Sequence, residues 1–202
     1  MCHELTAHTA ALKDFLSTKP EEMVLKCGAS FSNDRRFILI DYFGKKHLVS
    51  LQDGEVKTAL DETVSFNDAT LILQYLRQCS GLPPRGKWLS FLELPEGILH
   101  HVPFLNDACN PLAETFGHRL ELFKQLTAEL GARPIQMGDT AVCVPAFLKL
   151  PLAAAVWEGD DEFPARAVIL FDSIAQHQLT TAALWVLGCE LTRKLQLLAE
   201  QK

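Results

Sequence analysis

Apolar positions recur at helical spacing near the start of the chain. Over residues 4–17, Leu5, Leu12, Phe15 and Leu16 share a face, which predicts an amphipathic helix. Pro20 followed by Glu21 and Glu22 suits a helix N-terminus: proline fits the first turn, and acids favour the positive end of the helix dipole. Met23, Val24 and Leu25 continue that short helix, and Gly28 is its natural stop. The pattern then changes. Residues 36–43 are rich in β-branched and aromatic types and predict a strand. Gly44-Lys45 turns the chain into a partner strand over 46–51, and Asp53-Gly54 turns it again towards a short third strand near Val56. An antiparallel meander is expected.

Helical spacing returns through Leu71, Ile72, Tyr75 and Leu76, with Ser65 or Asn67 as the cap. Gly81, Pro83, Pro84 and Gly86 break it, so residues 80–87 are the best linker candidate, although only of loop length. A short strand from Trp88 to Leu92 is expected, then an irregular stretch over 93–108 containing Pro95, Gly97 and Pro103. Asn110-Pro111 predicts the start of a central helix, with Leu112, Phe116, Leu120, Phe123, Leu126 and Leu130 on one face and Gly131 as the stop. Strands follow at 135–137, 140–147, 152–157 and 165–172, the last two apolar enough to be buried on both faces. The small side chains of Ala153, Ala154 and Ala155 would let another element approach closely. A final helix over 181–199 carries Leu184, Leu187, Leu191, Leu195 and Leu198 as its core stripe. Helices and strands come in runs and do not alternate. The order predicts a single α+β domain with a largely antiparallel sheet and flanking helices, any subdivision falling at 80–87.

Composition narrows the class. A chain of 202 residues with 48% hydrophobic and 22% charged residues can bury a core without a disulfide or metal staple. With 19 basic and 25 acidic side chains the net charge is -6, and no basic run is interleaved with aromatics, so no nucleic-acid partner is expected. The six cysteines lie far apart in sequence and form no C-x-x-C, so they are read as buried free thiols and not as a zinc or iron–sulfur set. No apolar run is long enough for a membrane span, and the N-terminus around His3, Glu4 and Lys13 lacks the apolar core of a secretory signal. A cytoplasmic location is the expectation.

The outstanding local chemistry is Trp157-Glu158-Gly159-Asp160-Asp161-Glu162-Phe163-Pro164, which places four carboxylates within five positions and no cation between them. Apolar strands precede and follow, so a hairpin tip is expected. Such repulsion is relieved by water, by a bound cation such as magnesium or calcium, or by a carboxylate of raised pKa that could serve as acid or base. The spacing does not fit an EF-hand, and acids with glycine are also ordinary turn residues. Asp139, in the turn Gly138-Asp139-Thr140, joins this candidate site if strand order allows, whereas Asp172 is expected at the opposite sheet end, capping a turn. Trp88, next to Arg85 and Lys87, completes the candidate ligand-binding set of Trp157, Glu158, Asp160, Asp161, Glu162, Asp139 and Trp88. The pair His100-His101, with Cys109 and His118 downstream, matches no zinc spacing. No nucleophile, metal site or cofactor is assigned, and no P-loop, G-x-S-x-G, H-E-x-x-H or G-x-G-x-x-G motif occurs.

Taken together, the runs 86–94, Gly138-Asp139-Thr140-Ala141, Pro151, the tryptophan–acidic–Phe-Pro segment 157–165 and Ile169-Leu170-Phe171-Asp172 resemble the prokaryotic DUF 3786 (domain of unknown function) family. The likeness covers most of the chain. It implies a source among anaerobic bacteria and archaea. Some members of the family carry an iron–sulfur domain similar to that of corrinoid iron–sulfur proteins; this chain departs from them, having no closely spaced cysteines. The function expected is therefore a ligand-binding or accessory protein, with a link to corrinoid or other tetrapyrrole metabolism implied by the resemblance alone. Two alternatives stand beside it. One is an enzyme using two of the carboxylates, with or without magnesium. The other is a protein–protein interaction module, such as a homodimer joined through the C-terminal leucine helix.

Overall fold

The computed structural model describes residues 6–202. Cys2, His3, Glu4 and Leu5, which entered the reading of the N-terminus, lie outside the described residues. The fold is α+β with two antiparallel sheets. Helix α1 (Ala7–Ser17) begins behind Thr6, whose side chain caps the Thr9 N–H, and α2 (Pro20–Cys27) has its proline in the first turn and Gly28 in the left-handed region at its end. The meander follows as β1 (Ser30–Phe31), β2 (Phe37–Tyr42), β3 (Lys45–Ser50) and β4 (Val56–Thr58), paired in sequence order. Helix α3 (Phe66–Gln78) is capped by Ser65, whose side chain accepts the Asp68 N–H.

The second sheet has the order β5-β9-β8-β7-β6, with β5 at Trp88–Leu89, β6 at Arg133–Pro134, β7 at Thr140–Phe147, β8 at Leu150–Trp157 and β9 at Arg166–Asp172. Pro145 cannot donate to a ladder, and the β7–β8 register shifts between Val144 and Phe147. The two sheets meet where the Phe43 N–H donates to the Ala146 carbonyl at 3.0 Å. There Tyr75 of α3 stacks on Phe147 at 3.9 Å and Tyr42 lies 4.9 Å from the same ring, so both sheets and α3 share one core.

Three expectations are corrected. Residues 93–108 are not irregular: after a single turn of 3-10 helix at Phe91–Glu93, α4 (Gly97–Phe104) runs through a π-helical turn (Leu105–Cys109) into α5 (Asn110–Phe116). Asn110-Pro111 is therefore an interior step and not a start. The proline ring would crowd the carbonyl four residues back, and the wider turn accommodates it, with the Asn110 N–H bonded to Leu105 five residues back. The central helix is also not continuous. It breaks at Gly117 and resumes as α6 (Leu120–Glu129), where the chain presses on the loop leading into β9: a Cβ at Gly117 would lie 2.0 Å from the Ala165 Cβ. Finally, β6 forms at Arg133–Pro134 and not at 135–137, although the Ile135 N–H still reaches the Ala141 carbonyl at 3.0 Å.

Helix α7 (Thr181–Glu200) closes the fold. Leu184, Leu187, Leu191 and Leu195 are fully buried, so its leucine stripe is spent on the chain's own core. The Thr192 hydroxyl donates to the Ala108 carbonyl at 2.8 Å and docks α7 on the π-helical turn. The candidate linker is pinned. Asp172, with no exposure, accepts the N–H groups of Arg85, Gly86 and Ile174, and buried Gln178 bonds the Ser80 N–H and the Leu82 carbonyl. Among the described residues no helix is long and apolar enough to cross a membrane.

Candidate functional site

The acidic segment is a hairpin tip, residues 158–165 joining β8 to β9. Its base is built firmly. The Asp139 carboxylate accepts the Glu158 N–H at 2.8 Å, the Gly159 N–H donates to the Gly117 carbonyl at 3.2 Å, and the Arg166 guanidinium lies 4.3 Å over the Trp157 ring. Asp160 turns back on its own loop. Its carboxylate accepts the Phe163 N–H at 2.7 Å and the Glu162 N–H at 2.9 Å, and those two bonds hold its carboxyl below the usual carboxylate range. Glu158, Asp160, Asp161 and Glu162 are all exposed. Asp139, Trp157, Glu158 and Arg166 line a surface groove of about 470 Å³, which Asp160, Asp161 and Glu162 do not reach. Trp88 is elsewhere. It pairs with Asp172, whereas Trp157 pairs with Arg166, so the two tryptophans lie at opposite ends of β9, about 20 Å apart at 3.3 Å per residue. Among the described residues no three His, Cys, Asp or Glu side chains converge closely enough to hold a metal ion. His100 and His101 stand on α4, the first against Trp185 at 5.5 Å.

The stronger concentration of chemistry lies where the meander meets α7. A cleft of about 350 Å³ opens there between the β2–β3 turn, the start of α3 and the last turns of α7. Its floor is Asp68, 5% exposed. The Tyr42 hydroxyl donates to Asp68 Oδ1 at 2.8 Å and Lys194 Nζ to Oδ2 at 2.8 Å. Beside them Arg193 grips Glu190 at 2.6 Å and reaches Asp68 Oδ2 at 3.6 Å, while Glu190, 2% exposed, accepts from Asn67 at 2.9 Å. A buried charge is tolerated only when it is paired and hydrogen-bonded, and here two carboxylates face two cations. Lys194 also lies 5.1 Å from the Tyr42 ring centre, a cation–π contact.

Ionisation follows from these neighbours. Burial pushes the Asp68 carboxyl upward, but Lys194, Tyr42 and Ser65 together outweigh it and hold the group below its ordinary value. Tyr42 is raised, first by burial and then by the Asp68 charge. Burial also lowers His47, reinforced by the Lys194 charge and opposed by the Lys45 carbonyl. The His47 Nδ1 lies 2.9 Å from that carbonyl, which only accepts, so Nδ1 carries the proton. In the neutral ring Nε2 then holds a lone pair, and the one side-chain hydrogen bond of His47 among the described residues is made through Nδ1. Lys45 at the rim has no carboxylate partner among the described residues either. The cleft therefore carries one cation in excess, a free acceptor at His47, and apolar walls from Phe43, Val64 and Leu197.

Sequence reasoning passed over this cleft because its members are scattered over 150 positions. One signal was present: Glu190, Arg193 and Lys194 interrupt a leucine-striped helix whose face is otherwise core. Asp68 stands out in no sequence pattern beyond its place in the first turn of α3.

The molecule is thus a two-sheet α+β protein with an ion-paired cleft and an acidic hairpin. The model of the family described as "Domain of unknown function (DUF3786)" matches residues 19–194, and the chain belongs to that family. The match spans the meander, both sheets and the cleft cations Arg193 and Lys194. Comparison with curated proteins and with solved structures finds no match.

Proposed function

We propose that this protein binds a small anionic molecule in the cleft between the meander and α7, acting as a ligand-binding or accessory protein. One observation carries the reading: a neutralised network, in which buried Asp68 and Glu190 meet the partly exposed Lys194 and Arg193, supports a rim with an unmatched Lys45 and the free Nε2 of His47. A pocket with apolar walls and a few convergent polar groups is what small-molecule recognition needs. The anionic group would lie against Lys45 and Arg193, and a hydroxyl or N–H of the ligand would donate to His47. A catalytic version of the same site would use His47 as the base. A link to corrinoid or tetrapyrrole metabolism rests on the family resemblance; a cleft of about 350 Å³ suits an anionic arm of such a ligand and not a whole macrocycle.

A second reading keeps the ligand at the acidic hairpin, favoured by the groove that Asp139, Trp157, Glu158 and Arg166 share. One titration separates the two. Amide and side-chain NMR shifts are followed as inorganic phosphate, then magnesium, is added to the whole chain. The first reading expects saturable phosphate shifts centred on His47 and Lys194, weakened several-fold in Lys45→Ala. Magnesium shifts confined to Asp139 and Glu158 would move the site to the hairpin. Absence of saturable shifts at the cleft overturns the first reading.

A further inference from the structure

Two cysteines outside the cleft meet at the ends of two helices. Cys27 is the last residue of α2 and Cys79 closes α3. Cys27 Sγ lies 3.5 Å from the Tyr75 carbonyl, the same oxygen that accepts the Cys79 N–H at 3.0 Å. Cys79 Sγ lies 3.4 Å from the Lys26 carbonyl, in the peptide that leads into Cys27. Each sulfur thus rests on backbone belonging to the other cysteine's helix end, Cys27 Sγ also lying 3.6 Å from the Leu76 carbonyl. Both are 1% exposed and free.

The contact is asymmetric. The Cys27 thiol, the Gly81 N–H and Tyr75 bring Cys79 below its ordinary value against the pull of burial, while the proximity of Cys79 and burial together push Cys27 up. A lowered pKa favours the thiolate form, so Cys79 is the member of the pair assigned the attack. Ser80, next in the chain, and Leu82 beyond it are exposed, so a small reagent would approach Cys79 from that side when the turn opens.

We propose that Cys27 and Cys79 are a redox-active dithiol that closes to a disulfide joining the C-terminal ends of α2 and α3. The oxidant is a low-molecular-weight disulfide. The Cys79 thiolate attacks one of its sulfurs, forming a mixed disulfide and expelling one thiolate. Cys27 gives up its proton to that thiolate and attacks Cys79 sulfur, expelling the second thiolate, which takes a proton from water. From the Cys79 thiolate the protein loses two electrons and one proton, water supplies the other proton, and the small disulfide becomes two thiols. The bond would close a loop of about 50 residues, tying the N-terminal helices to the core.

The test uses the reduced full chain, treated with glutathione disulfide in native buffer, then quenched with N-ethylmaleimide in denaturant. The expected intact mass, before alkylation is counted, is lighter by two hydrogens, and a non-reduced digest yields one cross-linked peptide pair holding Cys27 and Cys79. Cys27→Ser should lose the cross-link and accumulate glutathione on Cys79. A wild-type digest with both cysteines alkylated, or with a cross-link to Cys109, Cys143 or Cys189 instead, overturns the proposal without reference to any variant.

Discussion

The acidic hairpin and the α7 cleft both concentrate charge, and they resolve it in opposite ways. At the hairpin four carboxylates are adjacent in sequence, all are exposed, and water and salt screen their repulsion. In the cleft two carboxylates are nearly inaccessible and each is matched by a cation from α7. A conspicuous cluster in the sequence is thus mostly solvated, while an inconspicuous set, assembled across some 150 positions, is buried. Proximity along the chain shows charge density; only burial converts charge into a constraint that the fold must satisfy.

That contrast can be broken by mutation. The largest effect is expected from Asp68→Ala, which leaves Lys194 and the Tyr42 hydroxyl without their partner. Breaking a buried pair on one side costs about 3 kcal/mol or more, read as a lowered urea midpoint with unchanged slope. Survival of the midpoint would mean that the cleft charges are not structurally coupled.

The same pair gives a pH dependence. The ordinary Asp value is 3.8 and folding lowers it for Asp68, so the unfolded chain takes up the proton first as pH falls. Its contribution is complete above 3.8 and is lost as the pH drops below that value through the folded-state pKa. His47 acts in the same sense at higher pH. Its folded pKa is below 6.5, so stability falls as the pH drops below 6.5 and only the unfolded chain protonates. Asp68→Asn should flatten the acid limb of a stability–pH curve, and His47→Gln the limb just under 6.5. Unchanged curves in both variants would refute these assignments.

The base of the hairpin should be less tolerant than its tip. Gly117→Ala drives a Cβ into Ala165, 2.0 Å away, and overpacking of this kind costs roughly 1–3 kcal/mol. Thermal unfolding measures it. At the tip, Asp160→Ala removes two loop hydrogen bonds, and a Tm loss on the order of 1–3 °C is expected. The double change Asp161→Asn with Glu162→Gln should leave Tm within about 1 °C of wild type, as exposed sites without partners do. A large loss there would show that the tip carries a constraint that its hydration does not suggest.

Local signals account for what could be read beforehand. Pro20 and Gly28 bounded α2, Ser65 capped α3, and Asp53-Gly54 turned the meander, because caps and turns are satisfied by neighbours within a few residues. The apolar runs at 152–157 and 165–172 predict strands buried on both faces; β8 is so, with Ala153 to Ala155 fully enclosed, whereas β9 alternates, its Val168 and Leu170 only half-buried. The helical run through Pro103 and Pro111 was illegible for the converse reason. Proline reads as a boundary, but here a π-helical turn accommodates Pro111 and α7 packs along the run, Gly188 against Phe104 and Thr192 on the Ala108 carbonyl.

Residue order by itself determined the α+β class, the antiparallel meander, the long closing helix and the acidic hairpin tip, since each follows from short-range periodicity and turn chemistry. Tertiary structure alone decided which charges are buried. Asp68 meets Lys194 across 126 positions, and Cys27 meets Cys79 across 52, because the sheets and α3 share one core that brings distant segments within hydrogen-bond reach. Hydrogen bonds and ion pairs act over a few ångströms, so no pattern along the chain records them until the fold has closed that distance.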